Sequence, residues 1–262
     1  NADHKHWVTS VKMATLGAGE GGSPRPVYKN PADASMPSFC GATLALMSRK
    51  YRPIDAKYAD TCLAHALYCY TYAKAHPGSV GCAGGTFYGA NAKWQDDFAT
   101  LCTVLYYATN DAKYKTEALS YENNLSNHNY CFGYNDDDDI AAYNLATLGS
   151  SKSAALLNTF ASTYKAAVTN GIYNGGNTTW GPLRYNANAA FIVAVNDLLN
   201  GVTTVDPFIY KQIDFIMGNN SQGSGNSKIS FIVGFGSNAA RYPHHRNIYL
   251  NDNDVGNNTV IN

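Results

Sequence analysis

The residues able to do chemistry gather in a few stretches, the densest being Ser230 to Arg246, S-F-I-V-G-F-G-S-N-A-A-R-Y-P-H-H-R. A short apolar run breaks at Gly234 and Gly236, residues that let a backbone turn tightly or approach a ligand closely. Pro243 then stiffens the chain ahead of His244, His245 and Arg246, side chains rich in hydrogen-bond donors. Such a loop can grip a polyhydroxylated or anionic ligand; a solvated polar loop is the plain alternative. The densest group of carboxylates is Asp136-Asp137-Asp138-Asp139, just ahead of a helical pattern, where negative charge is favoured by the helix dipole. A solvated helix cap is the expected role, with calcium binding through oxygen ligands and catalysis as alternatives. Asp96 and Asp97 open another helical pattern and read as caps too. His4 and His6 lack a third ligand, so a metal is not expected there.

Other chemistries find no support. There is no G-x-S-x-G elbow and no phosphate-binding loop. The six cysteines, Cys40, Cys62, Cys69, Cys82, Cys102 and Cys131, contain no C-x-x-C pair, which argues against a thiolate zinc site. Buried free thiols are expected, with disulfides as the alternative. No cofactor is called for beyond the calcium alternative. A net charge of zero argues against a nucleic-acid partner, and no run of 18 apolar residues suggests a membrane span. Charged residues make up only 15% while tyrosines number 20, a balance that suits packing against sugar rings as well as filling a core. N-x-S/T sequons at Asn124, Asn177, Asn219 and Asn257 are candidate glycan acceptors, in keeping with an extracellular chain.

The elements that must carry these residues are helical. Residues 1–37 read as extended loop, centred on Gly17 to Gly22. Helical periodicity predicts Gly41–Lys50, Ile54–Ala75, Trp94–Thr109, Ala112–Asn123, Ile140–Leu148, Lys152–Val168, Asn186–Asn200 and Asp206–Met217. In the second of these, Ile54, Tyr58, Cys62, Cys69 and Tyr72-Ala73 share a face, and His65 reads as a packed residue. Asn110-Asp111 is so short a turn that its helices must lie antiparallel, and Asp206-Pro207 is a strong helix start. The pattern is all-α, built of antiparallel helical hairpins, with residues 1–262 forming one domain.

V-G-F-G-x-N…P-H-H-R resembles the histidine signature of glycoside hydrolase family 9, cellulases built on an (α/α)6 barrel, with Ala240 standing where the family commonly has proline. Asp3-His4-Lys5-His6-Trp7 is similar to the family's D-H-x-x-W, and Arg25-Pro26-Val27-Tyr28-Lys29 to its R-P-A-Y-K. Asp96-Asp97-Phe98 and Ala108-Thr109-Asn110-Asp111 resemble D-E-L and A-T-N-D. Trp180-Gly181-Pro182-Leu183-Arg184-Tyr185 with Ala187 to Phe191 is similar to W-G-x-L-R…A-N-A-A-F. The resemblance implies inverting hydrolysis of β-1,4-glucan. His244 and Arg246 would bond sugar hydroxyls, Trp180 and Arg184 would shape a neighbouring subsite, and His4 and Trp7 would line the opposite wall. The family's catalytic base lies in D-A-G-D ahead of D-H-x-x-W, and its acid is a glutamate after the histidine signature; neither segment is in this sequence, so the catalytic residues are unknown. An (α/α)6 toroid needs twelve helices, so an arc of about eight asks for a missing segment or a second chain to complete it. This chain alone is expected to be inactive, and a non-catalytic extracellular glycan-binding or structural protein is the alternative.

Overall fold

In the computed structural model, described residues are 5–6, 8–22, 31–79, 93–133, 136–175, 181–222, 225 and 227–239. The chain divides into two compact units, Pro31–Ile213 and a second made of Asn1–Asn30 with Asp214–Asn262.

Local chemistry explains most helix ends in the first unit. The Asp33 carboxylate accepts from the Ser35 and Met36 amides and starts α2 (Ser35–Tyr51). Pro37 falls in that first turn, where the helix requires no amide donor, so α2 begins six residues before the predicted Gly41. Asp55 caps α3 (Ala56–Ala75) by accepting from the Tyr58 amide. Helix α4 (Gln95–Thr109) ends on Asn110 in the left-handed conformation, and Asp111 at once caps α5 (Ala112–Ser120). Helix α6 (Asp138–Thr147) is followed by Ser150, whose hydroxyl caps α7 (Ser151–Ala166). An antiparallel ribbon, β1 (Val168–Thr169) and β2 (Ile172–Tyr173), turns through Asn170-Gly171, both at positive φ as a tight two-residue hairpin requires. Helix α8 (Pro182–Leu199) starts on a proline, and Asp206 caps α9 (Pro207–Met217), which runs past the end of this unit.

The helices form two layers. Helices α2, α4, α6 and α8 lie side by side in sequence order, while α3, α5 and α7 each back the helix before them. Phe98, Leu101, Leu105, Leu145, Leu157 and Ile192 fill the space between the layers and are fully buried. On α3, Cys62 and Ala73 are buried as expected, but Ile54 and Tyr58 are exposed, and the buried stripe is Ala59, Cys62, Ala66 and Ala73. Small residues let α3 sit close to α2, with Gly41 opposite Cys69, so the bulky side chains turn outward. His65 is exposed as well, not packed. The described cysteines are free thiols; Cys82 lies outside the described residues.

In the second unit a short helix, α1 (Ser10–Thr15), stands where extended loop was expected. The Thr9 hydroxyl accepts from the Lys12 amide and Met13 is buried, which is enough local support for one and a half turns. The Asn220 side chain pins the chain after α9, donating to the Phe215 and Ile229 carbonyls.

A Cβ on Gly41 would lie 2.9 Å from both Cys69 Cβ and Leu101 Cδ1. Gly41→Ala is therefore expected to overpack the α2–α3–α4 junction and to destabilise the protein by about 1–3 kcal/mol. Urea unfolding checks this; an unchanged midpoint would show that the helices separate freely.

Candidate functional site

Arg184 is the third residue of α8 and is exposed. Its guanidinium lies 4.5 Å above the Tyr185 ring and donates through Nη2 to the Tyr185 hydroxyl at 2.5 Å. Tyr185 is buried, and its hydroxyl is also bonded to that of Tyr130, whose ring meets it edge-on at 4.9 Å. One turn along α8, Asn188 donates to the Phe132 carbonyl at 2.9 Å. A further turn on, Phe191 meets the Phe132 ring edge-on at 6.0 Å and remains exposed. Arg184, Asn188 and Phe191 thus form one stripe of α8, set against residues 130–132. Cationic and hydroxyl donors beside aromatic faces are what recognition of a polyhydroxylated ring requires.

Of the residues expected to bind sugar, Arg184 is the one this region holds. His4, Trp7, Trp180, His244 and Arg246 lie outside the described residues. Among the sequons, Asn124 and Asn219 are exposed, and Asn177 and Asn257 are outside the described residues. Tyr185 and Asn188 sit within the quoted W-G-x-L-R-Y and A-N-A-A-F motifs, but periodicity gave them no role. Tyr130 and Phe132 carry no local signal; only the fold brings them to α8.

The aspartates are not solvated caps. Asp137 is 7% exposed, Asp138 and Asp139 are 0%, and Asp96 and Asp97 are 1% and 5%. The starts of α4 and α6 meet inside the unit, and the carboxylates bond to backbone there. Asp96 accepts from the Asp137 amide at 2.9 Å, Asp137 from the Gly133 amide at 3.2 Å, and Asp97 from the Ser35 hydroxyl at 2.5 Å. Asp139 accepts from the Phe132 amide at 3.0 Å and the Tyr164 hydroxyl at 2.8 Å. Burial raises Asp137 to about 8 and Asp139 to about 6 and lifts Asp97 well above the usual carboxylate range; neighbouring carboxylates add to it for Asp137 and Asp97. All five carboxylates are nearly sealed from solvent.

The cluster has two electrostatically different halves. His128 Nε2, Asp136 Oδ1 and Asp138 Oδ2 lie within 4.8 Å of one another, a spacing that could hold a metal. Asp138 Oδ2, however, already accepts from Lys93 at 2.5 Å and from the Ser126 amide and hydroxyl at 3.1 and 3.2 Å. Lys93 is the cation of this half. Burial raises Asp136, but the His128 hydrogen bond at 3.0 Å and its charge outweigh it and hold the carboxyl below its ordinary value. The other half, Asp96, Asp97 and Asp137, makes no ion pair among the described residues. Asp96 Oδ1 is buried without a hydrogen-bond partner, as are Asp138 Oδ1 and His128 Nδ1 in the first half.

With this geometry in hand, similarity to known proteins is informative. Residues 1–261 match the sequence profile of Glycosyl hydrolase family 9. The chain belongs to that family. It is 30% identical to Endoglucanase A of Fibrobacter succinogenes over 96% of its own length and 57% of that protein. It is 29% identical to an endoglucanase of Dictyostelium discoideum, over 100% of its own length and 37% of that protein. The chain spans about half the length of the curated relatives it matches. Among solved structures, the cellulase Cel9M of C. cellulolyticum superposes with a TM-score of 0.71 at 32% identity, covering 82% of this chain and 50% of that one. An endoglucanase from the termite Nasutitermes takasagoensis gives 0.69 at 26% identity, over 82% and 49%. The layered helices are accordingly part of an (α/α)6 barrel.

A raised carboxyl binds its proton more tightly when folded than when unfolded. Stability conferred by protonated Asp137 is therefore present at low pH and lost as pH rises from about 4 to about 8. Thermal melts are expected to fall across that window. Asp137→Asn should flatten the slope; a wild-type slope in that variant would assign the titration elsewhere.

Proposed function

We propose that the chain forms the later part of a family 9 hydrolase that cleaves β-1,4-glucan with inversion, and that Arg184 contributes to its sugar-binding cleft. The observation that supports this most is Arg184 itself. The residue matching the family's W-G-x-L-R motif stands at the exposed start of α8, its guanidinium set over Tyr185, one turn before Asn188, which bonds the Phe132 carbonyl. Named endoglucanases among the relatives support the substrate class. On this reading His244 and Arg246 bond sugar hydroxyls, with Trp180 beside Arg184 and His4 and Trp7 across the cleft.

Inverting hydrolysis requires an acid and a base about 6.5–9.5 Å apart, with the attacking water between the base and the sugar ring. The buried aspartates cannot supply them, so the pair comes from a connected segment or a second chain. The role of this chain is to bind and orient the glucan. The protein works outside the cell, where an insoluble polymer is accessible, and exposed Asn124 and Asn219 accept glycans in a host that attaches them. Among the described residues no helix is long and apolar enough to cross a membrane.

The 262-residue chain is expected to be retained on cellulose and to release no reducing sugar from soluble β-glucan by itself. His244→Ala with Arg246→Ala should abolish retention, and Arg184→Ala should weaken it about ten-fold or more, the scale of one hydrogen bond to a charged group. Unchanged retention in both variants would refute the binding cleft. Sugar release by the isolated chain would refute the assignment of the acid and base to other polypeptide.

A further inference from the structure

The Arg184 guanidinium is held by more than its own helix. An arginine on the exposed first turn of a helix carries large rotamer entropy, which binding must otherwise remove. Here the Tyr185 ring lies beneath the guanidinium and the Tyr185 hydroxyl accepts its N–H. That hydroxyl is fixed in turn by Tyr130, from a different segment of the chain. We propose that Tyr130 is a positioning residue that sets the Tyr185 hydroxyl and, through it, the Arg184 guanidinium for sugar binding. The inference rests on the cleft assignment above.

Tyr130 can act this way because its own segment is fastened at each residue. The Asn129 carbonyl accepts from the Tyr173 hydroxyl at 2.5 Å. The Tyr130 carbonyl accepts from the Tyr164 hydroxyl at 3.3 Å, and the same hydroxyl reaches buried Asp139. The Cys131 thiol donates to the Tyr185 carbonyl at 3.3 Å, tying this segment directly to α8. The Phe132 amide is held by Asp139 and its carbonyl by Asn188. A ring on so constrained a backbone is a fixed wall.

The test uses the native polypeptide containing this chain and a soluble β-1,4-linked glucose oligosaccharide. Tyr130→Phe keeps the ring and removes the hydroxyl. Calorimetry should show affinity about ten-fold weaker, with the melting temperature within about 2 °C of the parent. In an Arg184→Ala background the same substitution should cost nothing further, because the two act through one contact. Parent-like affinity for Tyr130→Phe, or losses that simply add, would overturn the proposal. If the parent fails to bind the oligosaccharide, the cleft assignment falls, and the positioning role is read without ligand from the Arg184 Nη2–H resonance. That signal should be protected from exchange in the parent and exchange faster in Tyr130→Phe; equal exchange in both would overturn the proposal.

Discussion

The meeting of two helix starts, α4 and α6, around buried carboxylates is the constraint on which the rest of this arc depends. Each start leaves backbone amides without helical partners, and each carries the positive end of a dipole. Aspartates placed there can be buried because amides and hydroxyls take the place of water around them. The benefit is positional. Asp139 fastens the Phe132 amide and the Tyr164 hydroxyl, Asp137 fastens the Gly133 amide, and Asp138 fastens Ser126 and Lys93. The irregular segment from Ser126 to Gly133 therefore has a fixed path without regular structure of its own. Tyr130 and Phe132 meet α8 because that path is fixed.

The functional corner is thus made from one rigid element and one restrained loop. Helix α8 supplies the stripe of Arg184, Asn188 and Phe191, and its other faces are anchored by Ala189, Ile192 and Val193 in the core. The ribbon contributes through Gln212, fully buried, whose side-chain oxygen accepts from the Tyr173 amide and the Asn186 side chain. That contact holds the ribbon against α8 two residues beyond Arg184. Precision at an exposed arginine arises here from buried polar contacts on either side of it.

What the sequence revealed depended on the range of the interaction responsible. Helix ends set by neighbours in the chain were readable: Asn110-Asp111 between α4 and α5, and Asp206-Pro207 at α9, are as expected. Pro37 misled because proline breaks a helix interior but is tolerated in a first turn, and that turn was made by Asp33 upstream. On α3 the apolar pattern pointed to Ile54 and Tyr58, yet close packing selected the alanines and Cys62. Hydrophobicity shows that a helix is buried on one side, while side-chain size decides which side can come near. Arg184 was legible through its motif, whereas Tyr130 reaches it across a separation of 55 residues between Tyr130 and Tyr185 that no local pattern encodes.

The aspartate run was the largest misreading, and its cause explains the site. Charge in a sequence suggests water, but charge can be buried wherever something else neutralises or solvates it. In the half containing Asp136 and Asp138 the protein does this with Lys93 and His128, and burial notwithstanding, their charges keep Asp136 ionised below its ordinary range. In the half containing Asp96, Asp97 and Asp137 no described cation pairs with a carboxylate, the Ser35 hydroxyl bonds Asp97 alone, and burial with mutual repulsion pushes the carboxyls toward the protonated form. The second half stays buried by holding protons, and Asp137 still accepts the Gly133 amide bond that helps to fix the segment carrying Tyr130 and Phe132.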